Sequence, residues 1–180
     1  MAGKAVLRAY WVDSPRLMAG AYPGDRSPEQ TRAKLGRLLD AGVRVFVSLM
    51  EEDERDHSGR RFVPYMPVVE RLAAERGISV SFHRFPIRDL CAPTAAQAEA
   101  ILTLLQEPRE GCAFVHCWGG RGRTGSIVGC YLIRRGLATT ENFVDTIRLL
   151  RAQDAGGGTS PETSEQVAFV RAFSENTATA

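Results

Sequence analysis

The segment Val115–Gly125, VHCWGGRGRTG, predicts most of the architecture around it. The apolar run that leads into it, Cys112–Val115, is typical of a short buried strand, and Ser126–Arg134 beyond it is compatible with a helix. We therefore predict a strand, a tight glycine-rich loop and a helix N-terminus. Such a loop turns successive backbone N–H groups inward, and the helix dipole adds partial positive charge. The segment thus predicts an anion site that suits phosphate.

Two side chains of this loop carry chemistry that the backbone lacks. Cys117 lies at the base of the loop, in a field that favours the thiolate. Arg123 offers a planar guanidinium fork that can grip two oxygens of a phosphoryl group. A cysteine beside a glycine turn is commonly a plain core residue, but here a thiolate-stabilising loop and a nearby cation coincide. We predict that Cys117 is an activated nucleophile.

The spacing His-Cys, five residues, Arg-Thr-Gly resembles the signature loop of the cysteine-dependent protein tyrosine phosphatases, dual-specificity enzymes included. The resemblance implies that Cys117 attacks phosphorus and forms a phosphocysteine intermediate, while loop amides and Arg123 bind the phosphoryl oxygens. The side chains of Trp118 and Arg121 are expected at the pocket rim, where they influence substrate choice. The predicted phosphate-binding residues are Trp118, Gly119, Gly120, Arg121, Gly122 and Arg123.

Two further loop residues are predicted to support the nucleophile. Thr124 can donate its hydroxyl to the sulfur of Cys117, which stabilises the thiolate as a leaving group; it can equally serve as a helix N-cap. His116 precedes the nucleophile and is predicted to brace the loop through hydrogen bonds. It has no task as a base if the thiolate is already formed.

The leaving oxygen needs a proton, and Asp89 is the predicted general acid. It lies in a Pro-bounded loop after the predicted strand Ile78–Phe85, and Asp89–Pro93 resembles the Asp-x-x-x-Pro acid loop of the dual-specificity phosphatases. Arg88, where some members have proline, departs from that pattern. Alternatively Asp89 makes only its own turn hydrogen bonds. Cys91 could form a protective disulfide with Cys117, or remain a passive thiol.

The acidic segment Glu51–Asp56 and the residue Gln166 each allow more than one interpretation. The acidic segment Glu51–Asp56 is typical of a solvated loop, and its neighbour His57 of a surface histidine, although the segment could also orient Arg123 or supply an acid. Composition favours a surface position for Gln166. The resemblance instead implies a supporting position near the site.

The remaining pattern predicts apolar strands that alternate with helices, and hence a mostly parallel sheet covered by helices on both faces. The resemblance implies the phosphatase α/β sandwich, with a five-stranded mixed sheet and about six helices. It also implies a shallow pocket, because no Lys-Asn-Arg-Tyr segment occurs. Asp154–Pro161 is predicted to be a flexible surface loop. Predicted strands are 9–12, 16–22, 43–49, 78–85 and 112–115, and predicted helices are 28–41, 67–76, 95–106, 124–136, 139 or 140 to 153, and 161–173.

Length and composition set the remaining expectations. A chain of 180 residues with 44% hydrophobic residues predicts one globular domain, 1–180, whose last residues, 174–180, fray. A net charge of +2 does not favour a nucleic-acid partner. The four cysteines show no zinc spacing, and neither a metal nor a cofactor is expected. We expect no membrane span, a cytoplasmic location and, by default, a monomer.

The function predicted first is hydrolysis of protein phosphotyrosine, with possible action on phosphoserine and phosphothreonine; the substrate is a phosphorylated protein or a small phosphomonoester. Because Arg121 adds a second positive charge, a phosphoinositide, an inositol phosphate or an RNA 5′-triphosphate stays open as substrate. A non-catalytic phosphate-binding module and a rhodanese-like sulfur carrier are further alternatives. The combination of Cys117, Arg123 and Asp89 favours the phosphatase over both of them.

Overall fold

The computed structural model describes residues 7–154 and 156–177, with side chains described as far as Phe173. Five strands form one sheet in the order β1-β2-β5-β3-β4. Only β1 is antiparallel to its neighbour; β2, β5, β3 and β4 are parallel. The strands are β1 (Ala9–Asp13), β2 (Leu17–Ala21), β3 (Val43–Ser48), β4 (Ser81–Arg84) and β5 (Cys112–Cys117). The helices are α1 (Pro28–Asp40), α2 (Met66–Glu75), α3 (Ala95–Gln106), α4 (Gly122–Arg134), α5 (Phe143–Leu150) and α6 (Ser164–Thr177), with a 3₁₀ turn at Arg151–Gln153.

The central strand β5 is buried along its whole length, because helices cover both faces of the sheet. One face packs on α1 and α2 through residues that include Phe114 and Leu38. The other packs on α3 to α6 and includes Val115 and Ile127. Cys117 belongs to this second face and is the last residue of β5. It therefore lies at the carboxyl edge of the parallel strands, where sheets of this kind bind ligands.

The predicted mixed sheet with six helices is confirmed, and several helix ends follow the expected capping chemistry. The Ser27 hydroxyl accepts a hydrogen bond from the Gln30 N–H at 3.2 Å, with Pro28 in the first turn of α1. Thr94 and Gln97 form a reciprocal capping box at the start of α3. Such caps satisfy N–H groups that have no partner within the helix, so these boundaries are encoded locally.

Several predicted boundaries are wrong. The strand expected from Ile78 begins only at Ser81, because the Ile78 N–H bonds back to the Ala73 carbonyl at the end of α2. Regular helix begins at Phe143 rather than at Thr139 or Thr140, since the Thr139 N–H and hydroxyl form a turn with Asn142 and Glu141. The last helix begins at Ser164 and continues to Thr177; residues 178–180 lie outside the described part.

Among its described residues, the segment predicted as a flexible surface loop, Asp154–Pro161, is exposed at residues 157–159 but buried at both ends. Asp154 and Ser160 are 8% and 5% exposed. The Arg151 guanidinium donates to the carbonyls of Gly156 and Gly158, so a buried side chain holds the glycine-rich backbone in place. Glycine content alone indicated mobility, whereas the arginine that fixes this segment precedes it by only a few residues.

Helix α4 runs behind the carboxyl edge of β5 and is buried through most of its length. Gly125 allows the segment at Ser160 to approach closely, because a Cβ at position 125 would lie 2.3 Å from the Ser160 hydroxyl.

Within the described residues, no helix is both long and apolar enough to cross a membrane.

Candidate active site

The loop after β5 rests directly on the neighbouring strands. The Leu49 N–H donates to the His116 carbonyl at 2.8 Å, and the Tyr22 N–H donates to the Trp118 carbonyl at 3.0 Å. Gly120 adopts a φ of +69°, and a Cβ there would lie 2.5 Å from the backbone of Gly20 in β2. Only glycine combines this backbone conformation with so close an approach. The loop is therefore a fixed concavity and not a free turn.

Helix α4 begins at Gly122, so Arg123 is its second residue. Arg121 occupies the N-cap position, and its carbonyl accepts from the Gly125 N–H at 2.9 Å. The N-cap role considered for Thr124 is therefore wrong. Its hydroxyl is buried and makes no hydrogen bond to any described residue, so the predicted bond to the Cys117 sulfur is not formed in this structure.

Cys117 is a free thiol with 3% of its surface exposed. The other three cysteines are free as well, so the disulfide considered between Cys91 and Cys117 is not formed. Burial raises the pKa of Cys112 to about 11 and that of Cys130 to about 12. Those two thiols are therefore unreactive at neutral pH.

The Arg123 side chain is almost completely buried, at 1% exposure, yet its guanidinium is held from three sides. Its Nη1 and Nη2 atoms donate to the two carboxylate oxygens of Glu54 at 2.6 and 2.8 Å, and Nη1 also reaches the Ile87 carbonyl. Nη2 lies 2.9 Å from Oδ1 of Asp89. Burial by itself lowers the pKa of Arg123, but the hydrogen bonds to Glu54 and the charges of Cys117 and Asp89 outweigh it and raise the pKa.

Glu54 corrects the prediction that Glu51–Asp56 is only a solvated loop. Its side chain is 8% exposed and forms the bidentate, fork-to-fork pair that fixes a guanidinium in one orientation. The orienting role kept open for this segment is the one that the contacts support. The available signal was the buried arginine itself, because a buried charge requires a partner. His57 is exposed, as predicted.

Asp89 contacts the Arg123 guanidinium as well, from the side that solvent can reach. Its side chain is 47% exposed, so the carboxylate has access both to solvent and to Arg123. The next residue, Leu90, has a φ of +63°, which is uncommon for a side chain of this kind. The loop after Asp89 is thus held in a sharply turned conformation.

Gln166 is fully buried, so the surface position that composition favoured is wrong. Its amide oxygen accepts from the N–H groups of Glu162 and Thr163, at 3.0 and 3.1 Å. Its Nε2 donates to the Cys91 carbonyl at 3.0 Å. Gln166 therefore connects α6 to the loop that carries Asp89, which agrees with the supporting position that the resemblance implied.

His116 is buried beneath the loop with both ring nitrogens engaged. Nδ1 lies 3.1 Å from the Cys117 carbonyl, and Nε2 lies 2.6 Å from the Tyr65 hydroxyl. A carbonyl can only accept, so Nδ1 carries the proton and Nε2 accepts from Tyr65. Burial lowers the pKa of His116 to about 4. The imidazole is therefore neutral near pH 7 and acts as a hydrogen-bonded brace.

The side chains of Trp118 and Arg121 diverge at the rim. Trp118 packs against His57 and Phe62, with ring centroids 4.4 and 5.4 Å apart. Arg121 turns the other way and pairs with Glu162 at 3.0 Å. An aromatic wall thus stands on one side of the loop, while the second positive charge is already neutralised on the other.

The part of the chain that the structure describes contains no cluster of three or more His, Cys, Asp or Glu side chains arranged to hold a metal ion. The reactive groups brought together are a thiol, a guanidinium and a carboxylate: Cys117, Arg123 and Asp89. This set can supply a nucleophile, an anion clamp and a proton donor.

Comparison with known proteins identifies relatives over nearly the whole chain. Residues 8–172 match the family model described as the Swiss Army Knife protein, DSP-PTPase phosphatase domain. Protein tyrosine phosphatase domain-containing protein 1 of Mus musculus is 24% identical over 166 residues, covering 92% of this chain and 21% of that protein. Dual specificity protein phosphatase CDC14B of Mus musculus is 27% identical over 116 residues, covering 58% and 24%. The chain therefore spans only about a fifth to a quarter of the length of these relatives.

Solved structures share the fold at low sequence identity. Kinase associated phosphatase, with serine in place of its catalytic-site cysteine, gives a TM-score of 0.73 at 20% identity, covering 98% of this chain and 99% of that chain. Tk-PTP in its active form gives 0.70 at 21%, covering 93% and 97%. PTPMT1 in complex with PI(5)P gives 0.69 at 18%, covering 95% and 97%.

Proposed function

Because this chain belongs to the DSP-PTPase phosphatase domain family, we propose that it hydrolyses phosphomonoesters through a phosphocysteine intermediate on Cys117. The preferred substrate is phosphotyrosine in a protein, with phosphoserine and phosphothreonine as further substrates. One observation carries the proposal: the buried Arg123 guanidinium, fixed by Glu54, opens toward Asp89 beside the end of the strand that carries Cys117. A guanidinium so immobilised is suited to bind phosphoryl oxygens without moving its own side chain.

In the proposed first step, the Cys117 thiolate attacks phosphorus while the bond from phosphorus to the leaving oxygen breaks. Asp89 donates its proton to that oxygen, so the alcohol or phenol leaves neutral. The loop amides and Arg123 bind the three equatorial oxygens, whose charge redistributes in the transition state. In the second step, water attacks the phosphocysteine, Asp89 takes a proton from it, and the thiolate leaves.

Substrate binding and the position of Asp89 are coupled in this scheme. Nη2 of Arg123 contacts Asp89 in the structure, and a bound phosphoryl group would need the same N–H group. The bound phosphoryl group therefore displaces Asp89 toward the leaving oxygen. Glu54 keeps its hold on Arg123 during this exchange, because its two oxygens accept from both terminal nitrogens.

The aromatic wall supports phosphotyrosine as the preferred substrate. Trp118, backed by His57 and Phe62, offers ring faces beside the loop against which an aryl ester can pack. A serine or threonine ester lacks the ring that would make this contact.

A second candidate substrate is a phosphoinositide or inositol phosphate. The PTPMT1 structure contains PI(5)P and shares the fold, and Arg121 places a second guanidinium at the loop. That guanidinium is paired with Glu162 and also donates to the Thr159 carbonyl, so a second phosphate would have to displace both contacts. This cost is the reason for ranking the second candidate below phosphotyrosine.

The proposal is tested with para-nitrophenyl phosphate in the presence of a chelator, followed by a side-by-side assay on matched phosphotyrosine and phosphothreonine peptides and on inositol phosphates. We expect hydrolysis that vanadate inhibits, and the highest kcat/KM on the phosphotyrosine peptide. A higher kcat/KM on an inositol phosphate would replace the substrate assignment. Absence of turnover on every substrate would leave a binding module.

The general-acid assignment predicts a specific loss in Asp89→Asn. We expect kcat on para-nitrophenyl phosphate to fall by about a hundredfold, because the leaving oxygen then departs without a proton. The decline of kcat at higher pH should disappear as well, since that limb reports loss of the acid's proton. Full pH–rate profiles of both proteins measure this.

The neighbouring Arg88→Ala serves as the matched control for Asp89→Asn, because it changes the same loop without removing the carboxylate. It should keep the basic limb. If Asp89→Asn retains the wild-type profile, the proton donor is another group, and the acids of Glu51–Asp56 are the next to test.

A further inference from the structure

Three separate parts of the chain donate hydrogen bonds to carbonyl groups of the loop Trp118–Arg121. The Trp118 carbonyl accepts from the Tyr22 N–H at 3.0 Å. The Arg121 carbonyl accepts from the Ser160 hydroxyl at 2.8 Å. Between them, the Gly119 carbonyl accepts from Nη2 of Arg8 at 3.1 Å. Two of these donors are side chains, those of Arg8 and Ser160.

A carbonyl that is fixed in this way also fixes the next amide. The peptide unit is planar and trans, so the N–H of Gly120 points away from the side to which the Gly119 carbonyl points. Arg8 lies behind the loop, beside the carboxyl end of β2, where its own carbonyl accepts from the Ala21 N–H at 2.9 Å. Its guanidinium therefore directs the Gly120 N–H toward the concave side of the loop.

Arg8 is itself oriented by a buried network. Nε of Arg8 lies 3.4 Å from Oδ1 of Asp154, and the Asp154 side chain has no exposed surface. Oδ2 of Asp154 lies 3.4 Å from Nη2 of Arg151, which is 5% exposed and also donates to the Gly156 carbonyl at 3.2 Å. Asp154 thus lies between two guanidinium groups, which hold it in one orientation.

We propose that Arg8 is a positioning residue for catalysis: held by Asp154 and Arg151, it sets the Gly119–Gly120 peptide so that the Gly120 N–H faces the phosphoryl oxygens. The network contains two guanidinium groups and one carboxylate, so it also leaves an excess positive charge behind the loop. Both effects favour a bound oxyanion. The inference rests on the proposed function and extends it to three residues that lie outside the signature segment.

The experiment measures oxyanion affinity separately from turnover. Vanadate binding is titrated calorimetrically, and kcat/KM is measured on para-nitrophenyl phosphate, for wild type, Arg8→Ala and Asp154→Asn. We expect Arg8→Ala to weaken vanadate binding about tenfold and to lower kcat/KM by a similar factor, because one oxyanion donor is misdirected but not removed. Asp154→Asn should give a smaller loss of the same kind. Both pH limbs should keep their positions.

Added guanidinium chloride at millimolar concentration distinguishes positioning from general support of the fold. We expect it to restore part of the vanadate affinity of Arg8→Ala and to leave wild type unchanged. Arg134→Ala is the control, since it removes a guanidinium that pairs with Glu99 on the surface of the same molecule. It should bind vanadate as wild type does. If Arg8→Ala fails to fold, Arg8→Lys decides, with partial loss expected.

Wild-type affinity and kcat/KM in both Arg8 variants would overturn the inference. So would a loss of thermal stability in Arg8→Ala with unchanged vanadate affinity, because Arg8 would then act only on the fold. If wild type binds vanadate but hydrolyses nothing, the proposed function fails, while the ratio of affinities still decides the role of Arg8. Failure of wild type to bind vanadate or phosphate would overturn both.

Discussion

Replacing Cys117 with serine is expected to lower kcat by about four orders of magnitude or more while leaving phosphate binding close to that of wild type. The serine hydroxyl is similar in size to the thiol, so the buried base of the loop keeps its shape. A hydroxyl stays protonated at neutral pH, and no adjacent base is free to activate it, because His116 is engaged through both ring nitrogens. The attacking atom is lost and the oxyanion site is kept.

Two measurements test this expectation for Cys117. Steady-state hydrolysis of para-nitrophenyl phosphate reports on turnover, and calorimetric titration with inorganic phosphate reports on the site. Cys112→Ser is the matched control, because Cys112 begins the same strand and is equally buried. It should retain full activity. Turnover by Cys117→Ser at the wild-type rate would show that another group is the nucleophile.

Replacing Arg123 with lysine is expected to lower kcat by about a thousandfold. An ammonium keeps the charge but cannot present two parallel N–H groups to the phosphoryl oxygens, and it cannot form the fork-to-fork pair with Glu54. The effect should be larger on kcat than on KM, because the contacts strengthen as the charge spreads in the transition state. Arg134→Lys, at a surface arginine that also binds a carboxylate bidentately, should have no effect on activity.

Glu54→Ala tests the other half of the same pair. It leaves the buried guanidinium without its carboxylate, so the free energy of unfolding should fall by about 3 kcal/mol. Denaturant unfolding measures that change, and kcat/KM should fall as Arg123 loses its fixed orientation. Wild-type stability together with wild-type kcat/KM in Glu54→Ala would mean that the Ile87 carbonyl and the helix suffice to orient Arg123.

The sequence alone predicted those candidate site residues whose signals lie within a few positions of one another. Cys117 and Arg123 lie within one short segment, whose spacing predicts both an anion site and a nucleophile. Asp89 was predicted from a Pro-bounded loop after a strand and from the resemblance of Asp89–Pro93 to an acid loop, and the structure places its carboxylate beside Arg123. Capping residues such as Thr94 marked helix ends for the same reason, since a cap interacts with groups only a few residues away.

The residues that sequence analysis misjudged depend on partners far along the chain. Glu54 is 69 residues from Arg123, and it meets the guanidinium only because β3 lies beside β5 in the sheet. Asp154 is 146 residues from Arg8. Gln166 has the composition of a surface residue but is buried by three hydrogen bonds to backbone groups. Residue type fixes the average burial of a side chain, whereas topology decides the individual case.

The close approach of helix α4 to the Ser160 segment has a consequence for laboratory evolution. A library that varies Gly125 would yield mostly inactive members, because any side chain there meets the Ser160 hydroxyl that holds the Arg121 carbonyl. Trp118 and His57 pack on each other away from that contact, at the rim where we propose that the ester group of the substrate lies. Diversity aimed at new substrates therefore belongs on the aromatic wall, where variants can change selectivity without losing the chemistry.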